Sequence, residues 1–363
     1  MLRPWPANEL HEKDNYAFKR DMSVLETRNV QKIGFLLIPD FALMSYASAT
    51  EPLRAANLLA GTDLYEIAPL SVDGRAVRSS SGLSVDCRNL VEAGDSCHVL
   101  FVCAGGSTHA WHLGEPVHGT LRRLARKGVR IGGISSGAYV LAAAGLLENR
   151  DFTIHWEHAD ILREAFSHLS PRQARYVIDG DRITCAGGVA PLDMMHALIT
   201  ERMGAHFARR VSDWYLHAMI SEPEAPQRGS SAERFGTHHP ALLAVIEKME
   251  ATIEKPLDRN AMARLAGISP RHLDRLFVRH LKTGFLDTYR GIRLNHARRL
   301  LEQSPLSVSE VAFATGFSSA GHFSRCFKQA FGTGPKQLRA RFSSQSRRVS
   351  FKEDTMDQAR TEQ

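Results

Sequence analysis

Residues 260–281 read NAMARLAGISPRHLDRLFVRHL. Ala261, Met262, Leu265 and Ala266 recur at helical spacing and stop at Gly267, after which Ser269-Pro270 opens a second helix. Serine is a favoured N-cap and proline a favoured first helical residue, while glycine is the usual stop. Two short helices joined across a tight glycine turn make a helix-turn-helix. On the second helix Leu273, Leu276 and Phe277 share the face that must point inward, which leaves Arg271, His272, Asp274, Arg275 and Arg279 outside.

The arrangement returns about forty to fifty residues later: Ser307 and Glu310 stand three apart as in a capping box, Thr315-Gly316-Phe317 makes the turn, and Ser318 or Ser319 caps the next helix. Phe323, Phe327 and Phe331 form the inward stripe there, with Ser319, His322, Arg325 and Lys328 outside. The intervening 285–303 is one helix, with Leu294, Ala297 and Leu301 on its apolar face. At about 1.5 Å per residue it separates two recognition helices by roughly 28 Å, near the ~34 Å between successive major grooves on one duplex face. The repeat therefore has a geometric purpose.

The pattern A-x-x-x-G-x-S-x-R-x-L-x-R-x-F at 263–277, R-x-x-x-A-R-x-L-L at 293–301, G-F-x-S-x-x-x-F-x-R-x-F-K at 316–328 and F-G-x-x-P-x-x-L-R at 331–339 closely resembles the AraC/XylS family of transcriptional regulators. That resemblance spans about 100 residues and implies sequence-specific binding of double-stranded promoter DNA, with helix-turn-helix units at about 259–281 and 307–331. The candidate contacts are Ser269, Arg271, His272 and Arg275 in the first unit and Ser318, Ser319, His322, Arg325 and Lys328 in the second. Core packing accounts for Phe277, Phe323 and Phe327.

Charge agrees. From 238 to 342, 17 Lys/Arg oppose 8 Asp/Glu, so the net +7 of the 363-residue chain resides in its last third. A basic module on a near-neutral larger part suits a polyanion binder joined to something with another task. Residues 221–237 concentrate Pro, Gly, Ser and charge, as a linker does. A flexible amino-terminal extension at 1–30 and a disordered tail at 343–363 complete the organisation, leaving 31–220 as a separate domain.

In that domain short apolar runs alternate with helical stretches, as in an α/β fold with a largely parallel, flavodoxin-like sheet. The runs 32–38 (KIGFLLI), 98–103 (HVLFVC) and 129–134 (VRIGGI) read as buried strands, and 175–179 with 182–185 as a hairpin around Gly180-Asp181. Helices are expected at 45–59, 116–127, 137–147, 157–166 and 191–203. From about 240 every segment is helical, so the whole is an α/β domain followed by an all-α double helix-turn-helix domain.

Gly133-x-Ser135-x-Gly137 fits a nucleophile elbow, where glycines admit a strained turn between strand and helix. With the segments SYASATEPLRAAN at 45–57, His155-Trp156-Glu157 and AGGVAPLDMM at 186–195, it resembles the glutamine amidotransferase class I-like, PfpI-type domain that precedes an AraC domain in many regulators. Catalytic relatives carry cysteine at the elbow followed by His or Thr, whereas here Ser135 is followed by Ser136. A serine hydrolase would need a base, for which His155 is the candidate, but the acid Asp193 would then follow the histidine rather than precede it.

No catalytic residue is therefore assigned; the alternative is a serine- or amidotransferase-type hydrolase with an autoregulatory DNA-binding domain. The resemblance implies a small-molecule effector, held by Glu51, Ser135, Ser136, His155 and Trp156. Some regulators that it resembles in architecture regulate carnitine, glycine betaine or arginine catabolism, so the resemblance implies a quaternary ammonium or amino-acid-like effector, with RNA polymerase as a further partner and a possible homodimer. His155-x-x-His158 is too close for two ligands on one helical face and no third is in view, so neither metal nor cofactor is expected. Five cysteines without C-x-x-C spacing argue against a disulfide framework and for a reducing cytoplasm. The longest uncharged apolar stretch, 131–147, carries four glycines and two serines, a poor membrane span.

Overall fold

The computed structural model describes residues 29–106, 108–304 and 306–340, which form two compact units. Nearly all of the 1–30 extension and all of the 343–363 tail lie outside the described residues. The first unit gathers 29–106, 113–154 and 174–225; the second gathers 108–112, 155–173 and the described residues from 226 onward. Segment 155–173 thus lies within the 31–220 span by sequence and packs with the carboxy-terminal unit.

Along the first unit run β1 (Gln31–Leu37), α1 (Leu43–Ala60), β2 (Tyr65–Ser71), β3 (Val77–Arg78), β4 (Ser84–Val85), β5 (Arg88–Asn89), α2 (Leu90–Ala93), β6 (Val99–Ala104), α3 (Glu115–Arg126), β7 (Arg130–Ser135) and α4 (Gly137–Ala143). After α5 (Ala159–Ala165), which belongs to the second unit, come β8 (Tyr176–Asp179), β9 (Arg182–Cys185), α6 (Ala190–Met203) and α7 (Ala205–Trp214). Seven strands form one sheet in the order β5-β2-β1-β6-β7-β9-β8, parallel except for the edge strand β8.

Buried on both faces, the central strands can be apolar throughout, which is why β1, β6 and β7 read as continuous hydrophobic runs. Phe35 and Phe101 stack across the β1–β6 register, and Ile33, Leu37, Phe41, Leu53, Ile199 and Val211 close the core around them. From β1 the chain moves to β2 on one side and later to β6 on the other. At the carboxyl ends of these strands the β6 turn packs on the β1 turn: a Cβ on Gly105 would lie 3.1 Å from the Asp40 carbonyl oxygen and one on Gly106 2.9 Å from Asp40 Cβ.

In the second unit α8 (Ser231–Phe235), α9 (Pro240–Ala251), α10 (Arg259–Leu265) and α11 (Pro270–Leu276) precede a wide helical turn over Phe277–Leu281. Next come α12 (Phe285–Gln303), α13 (Val308–Ala314) and α14 (Ala320–Phe331). Two separate apolar clusters form: Leu242, Ile246, Met262, Leu273, Phe277 and Phe285 in one, Leu294, Ala297, Val311, Phe317, Phe323 and Phe327 in the other. Helix α12 contributes its first half to the former and its second half to the latter.

Helix boundaries follow the capping residues. Ser269 Oγ accepts from His272 N at 3.2 Å, Ser319 Oγ from His322 N at 3.3 Å, and Ser307 with Glu310 completes a reciprocal capping box. Ser319, rather than Ser318, is therefore the cap of α14. The stretch 221–237, expected to be linker, contains α8 with its own capping box from Ser230 and Glu233. The helix expected over 137–147 stops at Ala143, and that expected over 157–166 begins as a tighter turn at Trp156–His158.

Candidate functional site

At the end of β7 Ser135 adopts φ +58°, the strained left-handed conformation that an elbow requires. The surrounding glycines are obligatory: a Cβ on Gly133 would lie 2.6 Å from Ala138 N, and one on Gly137 would overlap the Val102 carbonyl oxygen of β6. Gly187, after β9, comes equally close, since a Cβ there would lie 2.7 Å from Ser135 Cβ and 3.0 Å from Ser45 Oγ. Ser45 Oγ accepts from Gly188 N at 2.8 Å. Three segments distant in sequence thus converge on Ser135.

Ser135 is 6% exposed, and Ser136 is fully buried with an Oγ that has no hydrogen-bond partner among the described residues. Buried hydroxyls are normally paired, so the Ser136 Oγ is a polar group left over at the elbow. The Glu51 side chain on α1 is 44% exposed; its Oε2 pairs with Arg54 Nε at 2.7 Å, and Tyr215 donates its hydroxyl to the Glu51 carbonyl. Burial holds the Cys103 thiol far above its ordinary range and Cys185 at about 12, so both stay protonated.

Asp193 is committed within the first unit. Its fully buried carboxylate accepts from Arg175 Nε and Nη2 at 2.9 and 2.7 Å, from His217 Nε2 at 2.8 Å and from Ser221 N at 3.0 Å. These bonds tie 217–221 to the first turn of α6, a structural use of the acid.

His155 and Trp156 belong to the second unit. Trp156 receives the Arg228 guanidinium at 4.2 Å and Arg299 at 5.9 Å from its ring, and its backbone N donates to Gln227 Oε1 at 2.7 Å. Glu157 supplies the third group that sequence reading lacked: candidate ligand atoms of His155, Glu157 and His158 lie within 4.8 Å of one another. One ring nitrogen on each histidine is already committed, His158 Nδ1 to Gln303 Oε1 at 3.0 Å and His155 Nδ1 as acceptor from Glu157 N at 3.3 Å.

Burial, with the neighbouring His155, pushes His158 down to about 4, and the Gln303 bond opposes this only in part. A folded value below the unfolded ~6.5 means that the stability of neutral His158 is complete above pH ~6.5 and is lost as pH falls toward 4. At pH 5 the expected loss is about 2 kcal/mol. Urea unfolding at pH 7 and pH 5 should show that drop in the wild type and a much smaller one in His158→Gln; equal drops would reject the assignment.

On the reader, Ser269, Arg271, His272, Arg275, Ser318, Ser319, His322, Arg325 and Lys328 are all exposed, while Leu273, Phe277, Phe323 and Phe327 are buried. Arg271, Arg275 and Arg325 make no ion pair among the described residues, whereas Asp274 is held by Arg259 at 2.7 Å. Ser269 and Ser319 already spend their hydroxyls as caps. Arg293, on α12, stacks on Phe317 at 4.3 Å and donates to Thr315 O at 2.7 Å, bracing the second turn. Sequence reading missed this role; the R-x-x-x-A-R pattern carried the residue without its partner.

A family model described as "Helix-turn-helix domain" matches residues 262–341, and one described as "DJ-1/PfpI family" matches 31–201. The HTH-type transcriptional regulator GlxA of Rhizobium meliloti (strain 1021) is 70% identical over 88% of this chain and 98% of its own length. The chain belongs to the HTH-type transcriptional regulators, with a DJ-1/PfpI domain before an AraC-type DNA-binding domain. Within this family the HTH-type transcriptional regulator CdhR of Pseudomonas aeruginosa is 40% identical over 85% of this chain and 92% of its own. A crystal structure of an AraC family transcriptional regulator from Pseudomonas putida is 29% identical, covers 51% of this chain and 99% of its own, and has a TM-score of 0.47. Close relatives bear regulator names, which supports a non-enzymatic role for this regulator. Among its described residues no helix is long and apolar enough to cross a membrane.

Proposed function

We propose that this regulator activates a catabolic operon in the cytoplasm by reading two successive major grooves of promoter DNA, in answer to a small amphoteric metabolite. The observation that carries this reading is the pair of recognition helices, α11 and α14, each seated on its own apolar cluster with unpaired arginines outward. Arg271 and Arg275 enter one groove and Arg325 the next, with His272, His322 and Lys328 on base edges or phosphates. Bound in this way, the regulator recruits RNA polymerase. In the α/β unit the unpaired Ser136 hydroxyl beside Ser135 supports an effector site at the elbow, and the serine there supports recognition without turnover.

DNA selected in vitro by the full chain tests the reader. Arg275→Ala and Arg325→Ala are each expected to weaken binding by about 1–3 kcal/mol while leaving thermal unfolding unchanged. A nuclease footprint confined to one groove would refute the two-groove reading. For the effector, thermal-shift screening against small amphoteric metabolites should find a compound that adds about 2.7 kcal/mol at 100 times its Kd.

A further inference from the structure

Helix α12 presents three stripes. Phe285 and Tyr289 enter the first apolar cluster, Leu294, Ala297, Leu300 and Leu301 the second, and His296, Arg299 and Gln303 form a polar row at i, i+3 and i+7. That polar row is gripped by segment 155–173. Asp160 Oδ2 lies 3.0 Å from His296 Nδ1 and 3.8 Å from Arg299 Nη2, which is itself 3.2 Å from His296 Nδ1, while Asp160 Oδ1 holds Arg163 at 3.1 Å. One turn earlier His158 bonds Gln303, and Trp156 faces Arg299.

We propose that Asp160 is a positioning residue for DNA reading: through it, segment 155–173 braces the second half of α12 and keeps the two recognition helices in step. The inference rests on the two-groove reading above. Because the two apolar clusters share no residue, the angle between their recognition helices depends on how firmly α12 is held on each side. The second cluster holds one side of its carboxy-terminal half, and Asp160 holds the polar row. His296 is only 12% exposed, so the pair is partly withdrawn from water and its geometry is costly to lose. A braced second reader, once the first has bound, meets its groove at a high effective concentration; a loose one does not.

The test uses the full chain and in-vitro-selected DNA in two forms, with both half-sites or with the second scrambled. Asp160→Ala is expected to weaken binding to the complete site about 10-fold, to leave the single half-site within about twofold, and to tolerate an added base pair between half-sites better than wild type does. Asp160→Glu, which keeps the carboxylate, should recover most of the loss. Equal weakening on both DNAs would show a folding role only, and unchanged binding on both would show that the brace is idle; either overturns the proposal. Wild-type protein that gains nothing from the second half-site would instead fail the two-groove reading.

Discussion

Gly137→Ala should remove about 3 kcal/mol or more from the α/β unit, at the upper end of what one added methyl does in a packed interior. The new Cβ would overlap the Val102 carbonyl oxygen, which is backbone of the neighbouring strand and cannot rotate aside. Either β6 and β7 separate or α4 shifts off its start, and both undo the elbow. Gly119→Ala is the control. It sits within α3, its Cβ would meet nothing nearer than 3.8 Å, and it should stabilise by about 0.5–1 kcal/mol through helix propensity. Denaturant unfolding of the full chain, followed by a probe in the first unit, decides between these signs; a Gly137→Ala protein as stable as wild type would mean that the tight crossing is absent.

Asp193→Ala is expected to cost about 3–5 kcal/mol, the range found when one member of a buried charged cluster is deleted. The acid takes four donors, and its removal leaves the Arg175 guanidinium and the Ser221 amide without their acceptor. Residues 217–223 should come free of α6 and be cut by protease under conditions where the wild type resists. Asp193→Asn keeps the shape and loses the charge, so it should fall between the two. If Asp193→Ala unfolds at the wild-type denaturant concentration, the cluster contributes nothing and the assignment is wrong.

What could be read from sequence was what is encoded locally. The capping serines, the glycine stops and the period of Leu273, Leu276 and Phe277 each act within one helical turn, so the reader was legible nearly residue by residue. Likewise β1, β6 and β7 announced themselves as uninterrupted apolar runs because both their faces are covered. Strand β2, at Tyr65–Ser71, was missed: Glu66 and Pro69 interrupt its pattern, and its place is set by pairing with β1. The two-residue β5 owes its existence wholly to β2.

At the site the same boundary holds. The elbow was visible because its glycines and serine are contiguous, whereas the approach of Gly187 and Ser45 was not. Trp156 was assigned to the effector, and the chain's own Arg228 and Arg299 stand over its ring. Those arginines lie far along the sequence, as do His296 and Gln303, and no period or spacing links them to residues 155–160. In the linker the Ser230-x-x-Glu233 signature was present; composition outweighed it, and the short α8 is the result.

The path of the chain through residues 155–173 also limits how such regulators can be recombined. Sensors and readers look exchangeable at a single junction near residue 225, as beads on a string would be. Here, however, nineteen residues of the amino-terminal stretch fold as part of the carboxy-terminal body, entering after residue 154 and leaving before 174. A hybrid spliced only at 225 would give this reader a stranger's version of that stretch, with no assurance of an acid for His296 or an imidazole for Gln303. Functional hybrids should therefore need crossovers near 154 and 173 as well as near 225, so that 155–173 travels with the reader.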